Sequence, residues 1–190
     1  MTLLEDIQHG IFHIMNKGAI DHILFLWVLA IGLTFNDRRM LLWSITGFTL
    51  GHAFAAFAVM FNYPMIPLKW VEFAIPLTIV ARGIQRLISP TENATLPWKT
   101  ILVIALFGFI HGSAISTELK MIVEKGESLL GKLVGFNIGV ELGQLLCIGG
   151  ILLISITLNR LLRIHANMVT RILLIPAILY AIFLSFINFP

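Results

Sequence analysis

Charge is scarce in this chain. Asp, Glu, Lys and Arg make up 12% of its 190 residues, against roughly 25% in an ordinary soluble domain. So little charge cannot cover a water-facing surface, which excludes a soluble globular fold for most of the chain. The formal net charge of +3 is small and scattered, so no nucleic-acid partner is expected. Cysteine is nearly absent. The one cysteine, Cys147, lies in an apolar run, makes no internal disulfide, and reads as a small buried hydrophobe. A positive leader is missing too. The stretch MTLLEDIQHG holds Glu5 and Asp6 where a signal peptide carries basic residues, so no signal peptide is expected.

What is present is apolar surface. Hydrophobic residues are 58% of the chain, with a mean hydropathy of +0.93. A bilayer core takes roughly 20 apolar residues per helix. The runs predict an all-α integral membrane protein. It is a single membrane domain over residues 1–190, a bundle of about six transmembrane helices. Spans are expected near 19–35, 40–61, 68–88, 98–117, 132–157 and 170–188. Residues 1–17 read as an amphipathic helix lying in or near the interface, with Leu3, Leu4, Ile7, Ile11, Phe12 and Ile14 on its apolar side. Alternate loops then carry unequal charge. One side holds all seven arginines and Lys99; the other holds only lysines. The positive-inside rule makes the arginine side cytoplasmic, with both termini outside the plasma (inner) membrane.

An ionisable residue within a membrane helix costs roughly 2.5–3.5 kcal/mol at its centre and marks a functional-site candidate. Asp21, His22, His52, Glu72, His111 and Glu141 are such residues. At 1.5 Å of rise per residue, they fall about 18–24 Å above the cytoplasmic helix ends, in one layer of the outer half. On the fifth span, Asn137, Glu141 and Gln144 share a face, and Gly131, Gly135, Gly139 and Gly143 form a ladder on roughly the opposite one. Such a ladder admits a close neighbour, either within the chain or in a homo-oligomer. Thr49 shares a face with His52. Pro76 has no N–H for the Glu72 carbonyl, which directs that carbonyl and its carboxylate toward a cavity. His13 joins the layer if the chain bends at Gly18, and Glu5, His9 and His13 have the spacing of an outer capture site. Imidazole and carboxylate without thiolate suit Ni, Co, Zn, Fe or Mn. Each residue also has a structural reading. Asp21 fits a helix N-cap, a lone membrane histidine commonly bonds between helices, and Glu5 and His9 fit a solvated face.

At these residues the sequence resembles the HupE/UreJ family of membrane proteins. The matching stretches are GIFHIMNKGAIDHILFL (10–26), FTLGH (48–52), VEFAIPLTI (71–79), FGFIHG (107–112) and FNIGVELGQ (136–144), in family order. The resemblance implies a small nickel- or cobalt-type metal permease, associated with hydrogenase and urease systems. It implies a metal path of His13, Asp21, His22, His52, Glu72, His111 and Glu141. Two departures stand out. Ala53-Phe54-Ala55 follows the second motif where the family often has hydroxyls, and HGSAI, with Ser113, replaces HGLGF.

The leading expectation is therefore a permease for a divalent transition metal ion, Ni, Co or Zn. Thr49, Ser113, Asn137 and Gln144 would line its path. The alternative is an intramembrane zinc-type hydrolase built on the same cluster, with Glu141 or Asp21 as general base. A third reading is a metal sensor. Below the layer the spans are mostly apolar, with Ser44, Thr46, Thr78 and Ser155 as the polar interruptions.

Overall fold

Helix initiation at the N-terminus follows from local sequence. Thr2 Oγ1 accepts from the Glu5 N–H at 3.4 Å, and the Glu5 carboxylate accepts from the Thr2 N–H at 2.8 Å. This capping box starts α1 (Leu3–Met15). At Asn16 the backbone turns extended, and its side-chain oxygen accepts from the Gly18 N–H at 3.4 Å. A 3-10 turn, Lys17–Ala19, bends the chain into α2 (Ile20–Ala30). There follow α3 (Arg38–Met60), α4 (Leu68–Ile88), α5 (Trp98–Ala114), α6 (Leu129–Leu162) and α7 (Ala166–Ile187). This computed structural model describes residues 2–31, 33, 37–60, 66–88, 98–114, 129–162 and 166–190. Among them there is no strand. The loop segments expected at 62–64, 89–93 and 118–127, and His165, lie outside the described residues.

Three stretches are long and apolar enough to cross a membrane: Arg38–Ala58, Leu130–Leu161 and Asn167–Ile187. Ile20–Ala30 and Trp98–Ala114 are apolar but shorter. The span expected near 19–35 is thus a helix of 11 residues, about 16 Å long. It makes up for its length by position. His22, Phe25, Leu26, Val28, Leu29 and Ala30 are all buried, as befits a helix that is apolar all round. Around it α4, α6 and α7 close the core, with Phe48, Ile79, Ile104, Val140 and Leu174 packed together. The outer faces carry Leu146, Leu153, Leu179, Phe183 and Phe186, all exposed. In water that surface would drive aggregation; in a bilayer it meets acyl chains.

Two backbone crossings position the site. α1 does not lie alone at an interface but packs along α6. Asp6, Gly10 and Ile14 form its buried face. A Cβ on Gly10 would run into the Phe136 carbonyl and the α6 backbone. Gly135, Gly139 and Gly143 meet Asp6, Ile7 and Ile14 of α1. The glycine face expected to serve a neighbour is therefore covered by the chain's own first helix. The second crossing joins α3 to α5. A Cβ on Gly112 would strike the backbone of His52. That approach brings His52 and His111 to one level.

Arg82 and Arg86, expected as loop charges, lie inside α4 and are each 1% exposed. The reason is local. Arg86 Nε donates to the Ile31 carbonyl at 3.2 Å, one of the carbonyls left over where α2 ends. Arg82 Nη1 donates to Gln85 Oε1 at 2.9 Å.

Candidate metal centre

Four elements bring imidazoles to one point: His13 from α1, His22 from α2, His52 from α3 and His111 from α5. The ring centroids of His22 lie 4.9 Å from His13, 6.0 Å from His52 and 5.2 Å from His111. His22, His52 and His111 are buried, and His13 is half-buried. Two groups have donor atoms within 4.8 Å of one another: His13, His22 and His52; and Asp21, His22 and His111. The bend around Gly18 puts His13 into the first group.

The protein fixes the proton positions on two of the rings. His22 Nδ1 lies 3.1 Å from Asp21 Oδ1. A carboxylate only accepts, so Nδ1 carries a proton, and in the neutral ring the lone pair is on Nε2. Thr78 donates its hydroxyl to the Ile75 carbonyl at 2.6 Å. Its oxygen therefore accepts from His111 Nε2 at 3.2 Å, which leaves the lone pair of His111 on Nδ1. These bonds fix the orientation of the two rings. The nitrogens left over are His13 Nε2, His22 Nε2, both ring nitrogens of His52, and His111 Nδ1. All are buried and without a hydrogen-bond partner. Buried polar atoms are nearly always paired. Several unpartnered imidazole nitrogens gathered in two groups within 4.8 Å fit a cation.

Asp21 is not an N-cap. Ala19 holds that position and makes no side-chain cap bond. Asp21 stands in the first turn, and its Oδ1 also accepts from the His22 N–H at 2.9 Å.

The same residues lie within a family match. A protein-family model described as HupE / UreJ protein matches residues 1–188. The chain belongs to the HupE/UreJ family. No curated protein and no solved structure matches it. The HupE/UreJ family is linked to nickel and cobalt handling and to transport rather than catalysis. Membership and the three long apolar helices together suggest a membrane location for this all-helical chain.

Not every residue expected at the HupE/UreJ site is in these groups. Glu72 is exposed on α4 and belongs to neither. Its backbone carbonyl, freed by Pro76, accepts from Asn188 Nδ2 at 3.3 Å. Glu141 is half-buried on α6 and accepts from Thr46 Oγ1 at 2.6 Å. Beside it, Thr49 donates to Gln144 Oε1 at 3.1 Å. These two bonds tie α3 to α6 on the helix that carries His52. Asn137 Nδ2 donates to the Leu133 carbonyl at 2.7 Å, and Ser113 Oγ to the Phe109 carbonyl at 2.8 Å. Glu5 is held in the capping box, and His9 is exposed. Thr78 is the residue whose role the sequence did not reveal. Its signal is a hydroxyl breaking the apolar stripe Val71, Ile75, Ile79 of α4.

Away from the histidines, a cavity of about 350 Å³ lies between α4 and α5. Arg82, Gln85, Lys99 and Thr100 line it, together with Phe107. Phe107 is one turn along α5 from His111.

Proposed function

We propose that the chain is a permease for a nickel- or cobalt-type dication, held within the membrane by His13, Asp21, His22, His52 and His111. The observation that carries this reading is the set of buried, unpartnered ring nitrogens that meet around His22. Four imidazoles and one carboxylate, with Cys147 elsewhere on α6, form a donor set for a borderline divalent metal. Asp21 supplies one negative charge against the ion, which lowers the cost of holding it in a medium of low dielectric. In this reading α2 to α7 make six crossings, and α1 is a helix packed on α6. The arginine end faces the cytoplasm, so both termini are outside.

Glu141 and Thr46, with Thr49 and Gln144, form a polar seam beside the cluster and flank the path. Glu72 stands outside it, where an arriving ion would first meet a carboxylate. The hydrolase alternative draws on the three-imidazole group, which matches an open catalytic zinc site. Against it, both candidate bases are engaged, Asp21 by His22 and Glu141 by Thr46.

The test is uptake of Ni, Co, Zn and Mn into sealed proteoliposomes by wild type, His22→Ala and His52→Ala. Saturable uptake of Ni or Co, reduced in His52→Ala and abolished in His22→Ala, is expected. Binding without any flux, under an imposed ion or proton gradient of either sign, would sink the permease reading.

A further inference from the structure

The geometry points to two alternative positions for a single ion, joined at His22. The purpose of this arrangement rests on the permease reading, but its geometry does not. His22 belongs both to the group with His13 and His52 and to the group with Asp21 and His111. A neutral imidazole has one proton and one lone pair, and with both groups empty the proton is the Nδ1 one directed at Asp21 Oδ1. One lone pair binds one ion. The two groups are therefore filled in turn, not together.

The two positions differ in chemistry. The first is three imidazoles. The second brings a carboxylate and His111, whose Nδ1 lone pair is set by the bond from Nε2 to Thr78. His22 is the ligand that the two positions share, so an ion passing between them stays beside the same ring. It exchanges His13 and His52 for Asp21 and His111. No bare dication is exposed to a low-dielectric interior during that exchange, where the desolvation penalty would be several kcal/mol or more. Splitting the ligands over two partial sites also keeps each one weak enough to release its ion, as conduction through multiple sites requires.

The test uses the full-length chain in detergent micelles with Co²⁺ alone as probe. Equilibrium dialysis with elemental analysis gives the stoichiometry, and the visible d–d spectrum reports the ligand set. Wild type is expected to bind one Co²⁺ per chain. His52→Ala and His111→Ala each keep one Co²⁺, with spectra that differ from each other. His22→Ala, and the double variant lacking His52 and His111, lose it. Thr78→Val weakens binding by about 10–100-fold when introduced into His52→Ala, and leaves His111→Ala unchanged. Where an alanine variant is not monodisperse, the glutamine variant at the same position is read instead. Two Co²⁺ per wild-type chain would overturn the proposal, because His22 would then bridge. Loss of binding in both single variants would also overturn it, because the site would then be indivisible. Binding is read without flux, so a protein that shows this pattern but transports nothing refutes the permease and not the paired positions. One that transports with an indivisible site does the reverse.

Discussion

The histidine region and the arginine region of this bundle bury polar groups in opposite ways. Around His22, buried ring nitrogens gather without hydrogen-bond partners. Around Arg82 and Arg86, guanidinium donors fill the interior and meet the Ile31 carbonyl and Gln85. The two lie about 13.5 Å apart along α2, nine residues at 1.5 Å each from His22 to Ile31. α4 serves both, with Thr78 orienting His111 and Arg86 capping α2. The lesson is that membrane depth alone does not make a polar residue a ligand. His111 and Arg86 are equally buried, each 1% exposed, but one offers an unprotonated nitrogen and the other only protons.

The largest expected effect breaks this contrast at its shared residue. His22→Ala removes a ligand from both groups, and Ni or Co uptake by proteoliposomes is expected to fall to background. Next is Thr78→Val, which leaves His111 Nε2 without its acceptor. Loss of such an orienting partner costs about 10–100-fold in metal affinity, read by Co²⁺ titration in a background lacking His52. Gly10→Ala forces α1 away from α6 and draws His13 out of its group. Overpacking of this kind costs about 1–3 kcal/mol; thermal unfolding in detergent should drop, and the metal should be held more weakly in a background lacking His111. Arg86→Met sharpens the comparison from the other side. The Ile31 carbonyl loses its donor, at about 1–3 kcal/mol, so Tm falls while the Co²⁺ spectrum is unchanged. The smallest effect belongs to Glu72→Gln. Its carboxylate is exposed and its carbonyl keeps the bond from Asn188, so equilibrium Co²⁺ affinity should stay at the wild-type value.

Much of the imidazole cluster was legible because the cost of polar residues in lipid makes each one conspicuous. His22, His52 and His111 could be placed at one level from helix rise alone. His13 was legible only with a bend near Gly18, and the Asn16 turn supplies it. The glycine ladder of α6 was legible as a close contact, but not as the seat of α1, since spacing does not name a partner. Glu72 shows the limit of the depth argument. Rise along α4 sets its level, but rotation of about 100° per residue sets its direction, and it turns outward. Arg82 and Arg86 were misplaced because charge counting assigns arginine to loops, whereas the open carbonyl at the end of α2 draws one guanidinium inward. Thr78 gained its role from a neighbour 33 positions away, which no local pattern contains. The α2 helix was predicted too long because hydropathy does not register where a backbone turns extended, as it does at Ile31.

The central claim is that the imidazole cluster with Asp21, and not the arginine end or Glu141, holds the ion. X-ray absorption on the Co²⁺-loaded full-length protein tests this most directly, comparing wild type with His22→Ala and Glu141→Gln. The account expects nitrogen and oxygen ligands with the outer-shell scattering of imidazole in wild type and Glu141→Gln, and no bound Co²⁺ in His22→Ala. A wild-type spectrum without imidazole scattering, or one unchanged by His22→Ala, would contradict it.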